Sequence, residues 1–366
     1  MTICWIYITV CMLSLGMVLL ITPLVKSIAL IFRKLDAPSA RKVHQQPMVR
    51  LGGAAIFGAT TLSLACLGFT DATVPFSAEA LSTVLILLLG GGGFFLVGFA
   101  DDLFDLSAFN RLWMQSAIAA ILWCYNIRIE TLALPGWETV PLGGLSLPIT
   151  VIWLVGVVNA VNWMDGLDGL ATGVSGISTI VLVALSVAMA QPVPALVGSA
   201  LLGSLTGFLY YNYNPAKIFM GDGGSYFIGF MLASLCIAGP QQLDSPFATL
   251  LPLIILAVPL GDMAGVIFTR IYCKSSPFSA DNRHLHHRLL QLQLSHRATV
   301  WVMYALSLTV SSLAFVLLDM ASPLMFFAEL TALISFFTWQ VWRAVTTPDS
   351  ESDVVVRKEL WYSENL

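Results

Sequence analysis

Long apolar runs recur from about residue 5 to residue 343, divided by short polar segments. A run of roughly 18 or more apolar residues is long enough to cross bilayer hydrocarbon as a helix. The chain has 366 residues, 57% of them hydrophobic and 10% charged, with a mean hydropathy of +0.84. That composition excludes a soluble globular domain. The alternating ten-residue segments of a transmembrane β-barrel are absent. The pattern predicts an all-α, polytopic integral membrane protein of about eleven transmembrane helices. They run roughly over 5–31, 51–69, 81–100, 112–127, 147–162, 170–189, 194–212, 225–240, 248–270, 298–318 and 323–343. Residues 1–345 read as one transmembrane domain and 346–366 as a polar cytoplasmic tail. The first segment lacks an early basic region and a clear small-residue cleavage site, so it reads as a retained helix.

The loops sort by charge. With the loop after the first span placed inside, 15 of the 17 Lys and Arg residues lie on the cytoplasmic side. Lys26 sits within the first span near that side, and Arg128 faces the other way. This asymmetry predicts an outside N-terminus and an inside C-terminus, in the inner (plasma) membrane. Cys4, Cys11, Cys66, Cys124, Cys236 and Cys273 lie in or beside apolar segments without a CxxC pair. They read as small hydrophobes rather than a disulfide framework or metal site. On the far side, residues 128–147 hold Pro135-Gly136 and Gly143-Gly144, which suit a short interfacial hairpin. Gly90 to Gly93 in the third span suits close helix packing, or else a kink.

The scarce acids are not scattered. They gather at the cytoplasmic ends of spans in three clusters: Ala100-Asp101-Asp102-Leu103-Phe104-Asp105, Asn159 to Gly169, and Phe219 to Ser225. A carboxylate beside hydrocarbon is costly to hold and marks a functional site by default. Asp101 and Asp102 are adjacent like charges, which call for a cation or a shared proton. Asn159, Asn162, Asp165 and Asp168 recur every three residues, so a helix would put them on one face. Their oxygens suit a hard cation and the polar edges of a nucleoside. Asp222 stands between glycines, which leave room for a phosphate; the plainer alternative is a helix N-cap.

Histidine and arginine complete the pattern. His284, His286, His287 and Arg288 lie in the largest cytoplasmic loop and suit a pyrophosphate. Zinc is the rival there, but the nearest cysteine is Cys273 and the carboxylates favour a hard ion. Lys42, His44 and Arg50 fall in the first cytoplasmic loop, which taken alone is an ordinary positive-inside loop. Asp262, after Pro259, either pairs with Arg270 or lines a cavity. A secondary transporter would place its acids mid-span in broken helices, and a scaffold would not need them.

Five segments in this order, RKVHQQPMVRLGG, ADDLFDLS, NAVNWMDGLDG, PAKIFMGDGGS and SPFSADNRHLHHRLL, resemble the polyprenyl-phosphate N-acetylhexosamine-1-phosphate transferases (glycosyltransferase family 4). The matches span roughly residues 41–290, and the eleven-helix count agrees. The resemblance implies Mg2+-dependent transfer of a sugar 1-phosphate from a UDP-sugar to a polyprenyl phosphate, with Mn2+ as an alternative ion. By position it makes Asp222 and Asn162 the metal ligands. Asp101 and Asp102 become the paired acids at the lipid phosphate, and Asp101, Asp102 and Asp222 the catalytic set. Asp165 and Asp168 fall in the nucleoside-contacting stretch, and Asn159, His284, His286, His287 and Arg288 are the further substrate-binding candidates. Lys42 and Arg50 become contacts to the phosphates or the lipid headgroup, with His44 beside them as a substrate-binding candidate. Arg111 stands where relatives usually carry a lysine, which keeps the charge and changes the geometry.

The His-x-His-His-Arg form and the RKVH…PxxRLGG loop resemble the GlcNAc-1-phosphate branch. The peptidoglycan enzyme, phospho-MurNAc-pentapeptide transferase, usually has a PTMGG-type first loop. The expected partners are therefore UDP-GlcNAc, undecaprenyl phosphate and the lipid bilayer, with no nucleic acid; a homodimer is left open.

Overall fold

The structure is a computed structural model that describes residues 2–31, 35–36, 48–68, 77–274 and 283–346. Lys42, His44 and the polar tail after residue 346 lie outside the described residues. The protein is a helical bundle. Helix α1 (Thr2–Ile31) is followed by short strands β1 (Leu35–Asp36) and β2 (Met48–Val49), paired antiparallel. Helices α2 (Gly53–Gly68), α3 (Ala78–Phe104) and α4 (Ala108–Cys124) come next. Strands β3 (Thr131–Leu132) and β4 (Val140–Pro141) then form the expected hairpin on the far side. Helices α5 (Ser146–Met164), α6 (Leu170–Ala188), α7 (Pro192–Asn212) and α8 (Gly221–Ala238) make the centre. The chain closes with α9 (Leu250–Ile255), α10 (Ala257–Tyr272), α11 (Leu285–Gln291), α12 (His296–Leu317) and α13 (Pro323–Thr346).

Among the described residues, eight helices are long and apolar enough to cross a membrane: α1, α3, α5, α6, α7, α8, α12 and α13. Three further expected spans coincide with shorter helices, namely α2, α4 and the pair α9–α10. The protein is a multi-pass membrane protein on length and composition. Helix α8 lies innermost, buried along almost its whole length, while α13 has no fully buried residue among those described and packs on α12.

Small residues let the helices approach α8 closely, as expected where lipid competes equally well for apolar surface. Gly90 and Gly91 of α3 receive the rings of Phe230 and Phe227; an added Cβ would lie 2.6 and 2.8 Å from them. Gly93 faces Ile118 of α4. The GGGG run is therefore a packing surface, and α3 continues through it unbroken. Gly229 of α8 lies against Val158 of α5, where a Cβ would meet backbone at 2.6 Å.

The ninth expected span, 248–270, is two helices rather than one. They meet at Leu256 because Pro259 has no N–H to give the Ile255 carbonyl. Two hydroxyls replace it: Ser178 of α6 and Ser311 of α12 each donate to Ile255 O at 3.1 Å. Backbone freed inside a membrane bundle must be satisfied by its neighbours. Replacing either serine by alanine should cost roughly 0.5–1.5 kcal/mol. The double change should exceed the sum of the two, because only then is the carbonyl left without a donor. Thermal unfolding of the three variants in detergent measures this.

Candidate active site

The site forms where the C-terminal ends of α3 and α5 meet the N-terminal end of α8. Helix α3 stops because Asp105 adopts a left-handed conformation (φ 49°), with its N–H on the Asp101 carbonyl at 2.9 Å. Ser107 then caps α4, accepting from Asn110 N at 3.3 Å. This tight turn leaves Asp101 and Asp102 on the last turn of α3, beside α8.

Helix α8 begins without a cap of its own, because Met220 at its N-cap position offers no acceptor. Asp102 supplies the cap from another helix. Its Oδ1 accepts from Asp222 N and its Oδ2 from Gly223 N, both at 2.9 Å. The Asp102 side chain is only 2% exposed. Glycines make the approach possible. A Cβ on Gly98 would lie 2.2 Å from Asp222 O, and one on Gly53 would lie 2.2 Å from Gly224 N. Gly221 has a φ of +77°, and a Cβ there would strike the Arg50 carbonyl. The segment before α2 is stitched on by backbone: Phe219 N to Val49 O at 2.8 Å, Gly52 N to Phe219 O at 2.9 Å and Gly53 N to Met220 O at 2.7 Å.

Asp222 therefore sits fixed in the first turn of α8. Its Oδ1 accepts from Arg50 Nη2 at 2.9 Å and from Asn162 Nδ2 at 2.8 Å. Asn162 Nδ2 also reaches Ser225 Oγ at 2.9 Å. Arg50 Nε lies 3.5 Å from Asp102 Oδ1, so one guanidinium serves both acids. Asp101 pairs with Arg111 Nη1 at 2.6 Å and accepts from Leu106 N at 2.8 Å. Its carboxyl also comes within hydrogen-bonding reach of Asp222. Asp165, just past α5, lies in the field of Arg50, Asp222 and Asp168. Burial, reinforced by the two neighbouring acids, pushes its carboxyl up to about 7.

Other expected residues are brought to the same end of the bundle but hold structure. Asn159 donates to Gln115 Oε1 of α4 and to Val155 O, both at 2.8 Å. Asp168 Oδ2 accepts from Asn214 Nδ2 and Ala216 N at 3.0 Å, bracing the loop after α7. Asp262 bonds His284 Nδ1 at 2.8 Å and Leu285 N at 2.6 Å. These contacts were not among its expected roles. Arg270 lies over Trp163, 5.0 Å from the ring centroid, and His284 meets that ring in a T-shaped arrangement at 5.9 Å. His286 is 1% exposed and stacks with His284 at 5.5 Å. A Cβ on Gly166 would lie 2.5 Å from its Nε2. Burial, then the neighbouring His287, lowers the His286 imidazole to about 3, so it is neutral at pH 7. Arg288 Nε donates to Arg283 O at 3.0 Å.

Sequence reasoning missed Ser225 and Tyr226, which face the same cluster. The signal was available: they follow Asp222 by three and four residues, on one helical face.

The helical membrane bundle carries an acid–arginine–amide cluster at one end, and the comparisons place it among transferases. The family model described as "Glycosyl transferase family 4" matches residues 84–240. A Bacillus subtilis (strain 168) protein named "Probable undecaprenyl-phosphate N-acetylglucosaminyl 1-phosphate transferase" is 37% identical over 305 residues, 83% of either chain. A "Decaprenyl-phosphate N-acetylglucosaminephosphotransferase" of Mycolicibacterium smegmatis is 34% identical, over 76% of this chain and 74% of its own. An "Undecaprenyl-phosphate alpha-N-acetylglucosaminyl 1-phosphate transferase" of Haemophilus influenzae is 32% identical, over 72% and 73%. The chain belongs to glycosyl transferase family 4.

The geometry separates two roles. Asp102→Ala strands two buried backbone N–H groups and should cost roughly 2–4 kcal/mol of stability. Asp222→Ala removes a carboxylate from among like charges and should leave the unfolding midpoint nearly unchanged. Thermal unfolding in detergent compares the two; equal losses would mean that Asp222, too, is mainly structural.

Proposed function

We propose that the protein transfers GlcNAc-1-phosphate from UDP-GlcNAc to undecaprenyl phosphate, giving the lipid-linked sugar diphosphate and UMP. The observation that carries this reading is Asp222. It is locked at the start of α8, shares one oxygen between Arg50 and Asn162, and is ringed by the other motifs. In the reaction an oxygen of the lipid phosphate attacks the sugar-bearing phosphorus of the donor. The bond from that phosphorus to the oxygen bridging it to UMP breaks, and the electron pair leaves with UMP.

The donor set fits a hard divalent ion: a carboxylate, an amide whose oxygen can be turned inward, and no thiolate nearby. Asp222 and Asn162 would hold Mg2+, or Mn2+ in its place. The bound ion supplies charge stabilisation on the leaving phosphate. The other steps belong to the chain. Arg50 and Arg111 bring positive charge to the substrate phosphates. Asp101 holds Arg111 in place through its 2.6 Å ion pair. Asp102 fixes α8. The acceptor needs little help to ionise, since a phosphate monoester loses its second proton near pH 6. The histidine loop, pinned through Trp163 and Gly166, closes the nucleotide side. The acids lie at helix ends, which argues against an ion-coupled transporter.

Purified protein given UDP-GlcNAc, undecaprenyl phosphate and Mg2+ should release UMP, and chelation should stop it. Asp222→Ala should lower turnover by roughly 100-fold or more while the protein stays folded. Near-wild-type release by that variant would sink the metal assignment. In competition, UDP-GlcNAc should be used in preference to UDP-MurNAc-pentapeptide; the reverse would place the protein with the peptidoglycan enzyme.

The site belongs on the cytoplasmic face of the inner membrane. The basic loops support this, as does the cytoplasmic origin of nucleotide sugars. In a background with the six cysteines removed, Val140→Cys should label in intact cells, and Leu292→Cys only after permeabilisation. Labelling of Leu292→Cys from outside would invert the topology.

A further inference from the structure

Tyr226 is among the largest fully buried side chains of the protein, at 0% exposure. It sits one turn after Asp222 on α8, and its phenol lies within the electrostatic reach of Arg111, Asp101 and Asp222. Yet among the described residues its hydroxyl makes no hydrogen bond of good geometry, and the Arg111 guanidinium is the donor nearest to engaging it. Packing does not explain this. Phenylalanine would fill the same space without burying an unsatisfied hydroxyl, and a buried polar group without a partner is costly.

Oxygens of both neighbouring acids already receive donors. Asp101 receives Leu106 N and Arg111, and Asp222 Oδ1 receives Arg50 and Asn162. A phenol O–H beside a guanidinium forms a pair of donors for one anionic oxygen. Below Arg111 on α4, Gln115 is also buried with its Nε2 unpartnered, so the wall beneath the ion pair is rich in donors.

We propose that Tyr226 is a further substrate-binding residue, its O–H donating to a phosphate oxygen held beside Arg111. The inference rests on the reaction proposed above. That phosphate comes either from the lipid monophosphate or from the diphosphate of the nucleotide sugar, and kinetics separate the two.

Tyr226→Phe removes one hydroxyl and keeps the ring. Wild type and variant, purified in detergent with Mg2+, are compared in thermal unfolding and in UMP release with each substrate varied in turn. The expected result is a loss of roughly 10- to 100-fold in kcat/KM, with an unfolding midpoint no lower than wild type. A loss confined to undecaprenyl phosphate assigns the bond to the acceptor, and one confined to UDP-GlcNAc assigns it to the donor. A loss in both assigns it to the phosphoryl group in transit. Unchanged turnover overturns the proposal. So does a fall in midpoint that accompanies the lost activity, because the hydroxyl would then be structural. If wild type releases no UMP, the reaction itself is wrong; if wild type is active and Tyr226→Phe equals it, only the role of Tyr226 is wrong.

Discussion

The site depends on one contact, the Asp102 carboxylate across two N–H groups in the first turn of α8. A helix start leaves unpaired donors and a partial positive charge. Within a membrane bundle these find little water. Asp102 meets both from the end of α3, and so fixes the distance and angle between two helices at the place where the chemistry is done. Asp222 inherits its position from this contact. Arg50 then joins both acids, which draws the segment before α2 into the same frame. The contact needs backbones nearly touching, so glycine stands at positions 53, 98 and 221. The glycines of the RLGG and GDGGS segments thus serve one another: each makes room for the other's backbone.

Charge balance follows from the same geometry. Four carboxyls, Asp101, Asp102, Asp165 and Asp222, stand close together, with Arg50 and Arg111 among them. Like charges so near raise one another's proton affinity. At Asp165, outside the spans, burial is the larger cause and the neighbouring acids add to it, pushing the carboxyl up to about 7. Arg50 and Arg111 offset part of this charge, Arg50 between Asp102 and Asp222 and Arg111 on Asp101. Strict order among the groups matters more than their total charge, because in a poorly solvated place a displaced carboxylate has no water to fall back on.

The fold was legible because hydrophobic runs, glycine and the placement of basic residues are local signals. The hairpin at 131–141 was readable from its turn residues. The break at Leu256 was not, because its cause is shared among three helices: Pro259 withholds a donor, and Ser178 and Ser311 replace it. The site was legible as a set of segments but not as a division of labour. Periodicity put Asn159 and Asp168 in line with Asn162 and Asp165, yet Asn159 ties α5 to Gln115 and Asp168 ties a loop to Asn214. Adjacent Asp101 and Asp102 look alike in sequence, while one holds an arginine and the other caps a helix. Tyr226 was hidden because an aromatic residue inside an apolar run reads as core, which by burial it is.

The histidine loop extends the same logic to the other wall of the site. Asp262 on α10 holds His284 by its ring nitrogen and caps α11 through Leu285 N, much as Asp102 caps α8. Trp163, at the end of α5, is clasped by Arg270 on its face and His284 at its edge. His286 fills the hollow that Gly166 leaves by lacking a Cβ. The loop between Asn162 and Asp168 is therefore held from two sides, by α8 through Asn162 and by the α10–α11 region through Trp163 and Gly166. A substitution at Asp262 would act on that loop without touching α8, so the two walls can be perturbed separately. Helix ends capped by acids from neighbouring helices let a bundle in lipid carry an ordered polar site at its surface, where a membrane-anchored phosphate and a water-soluble nucleotide can meet.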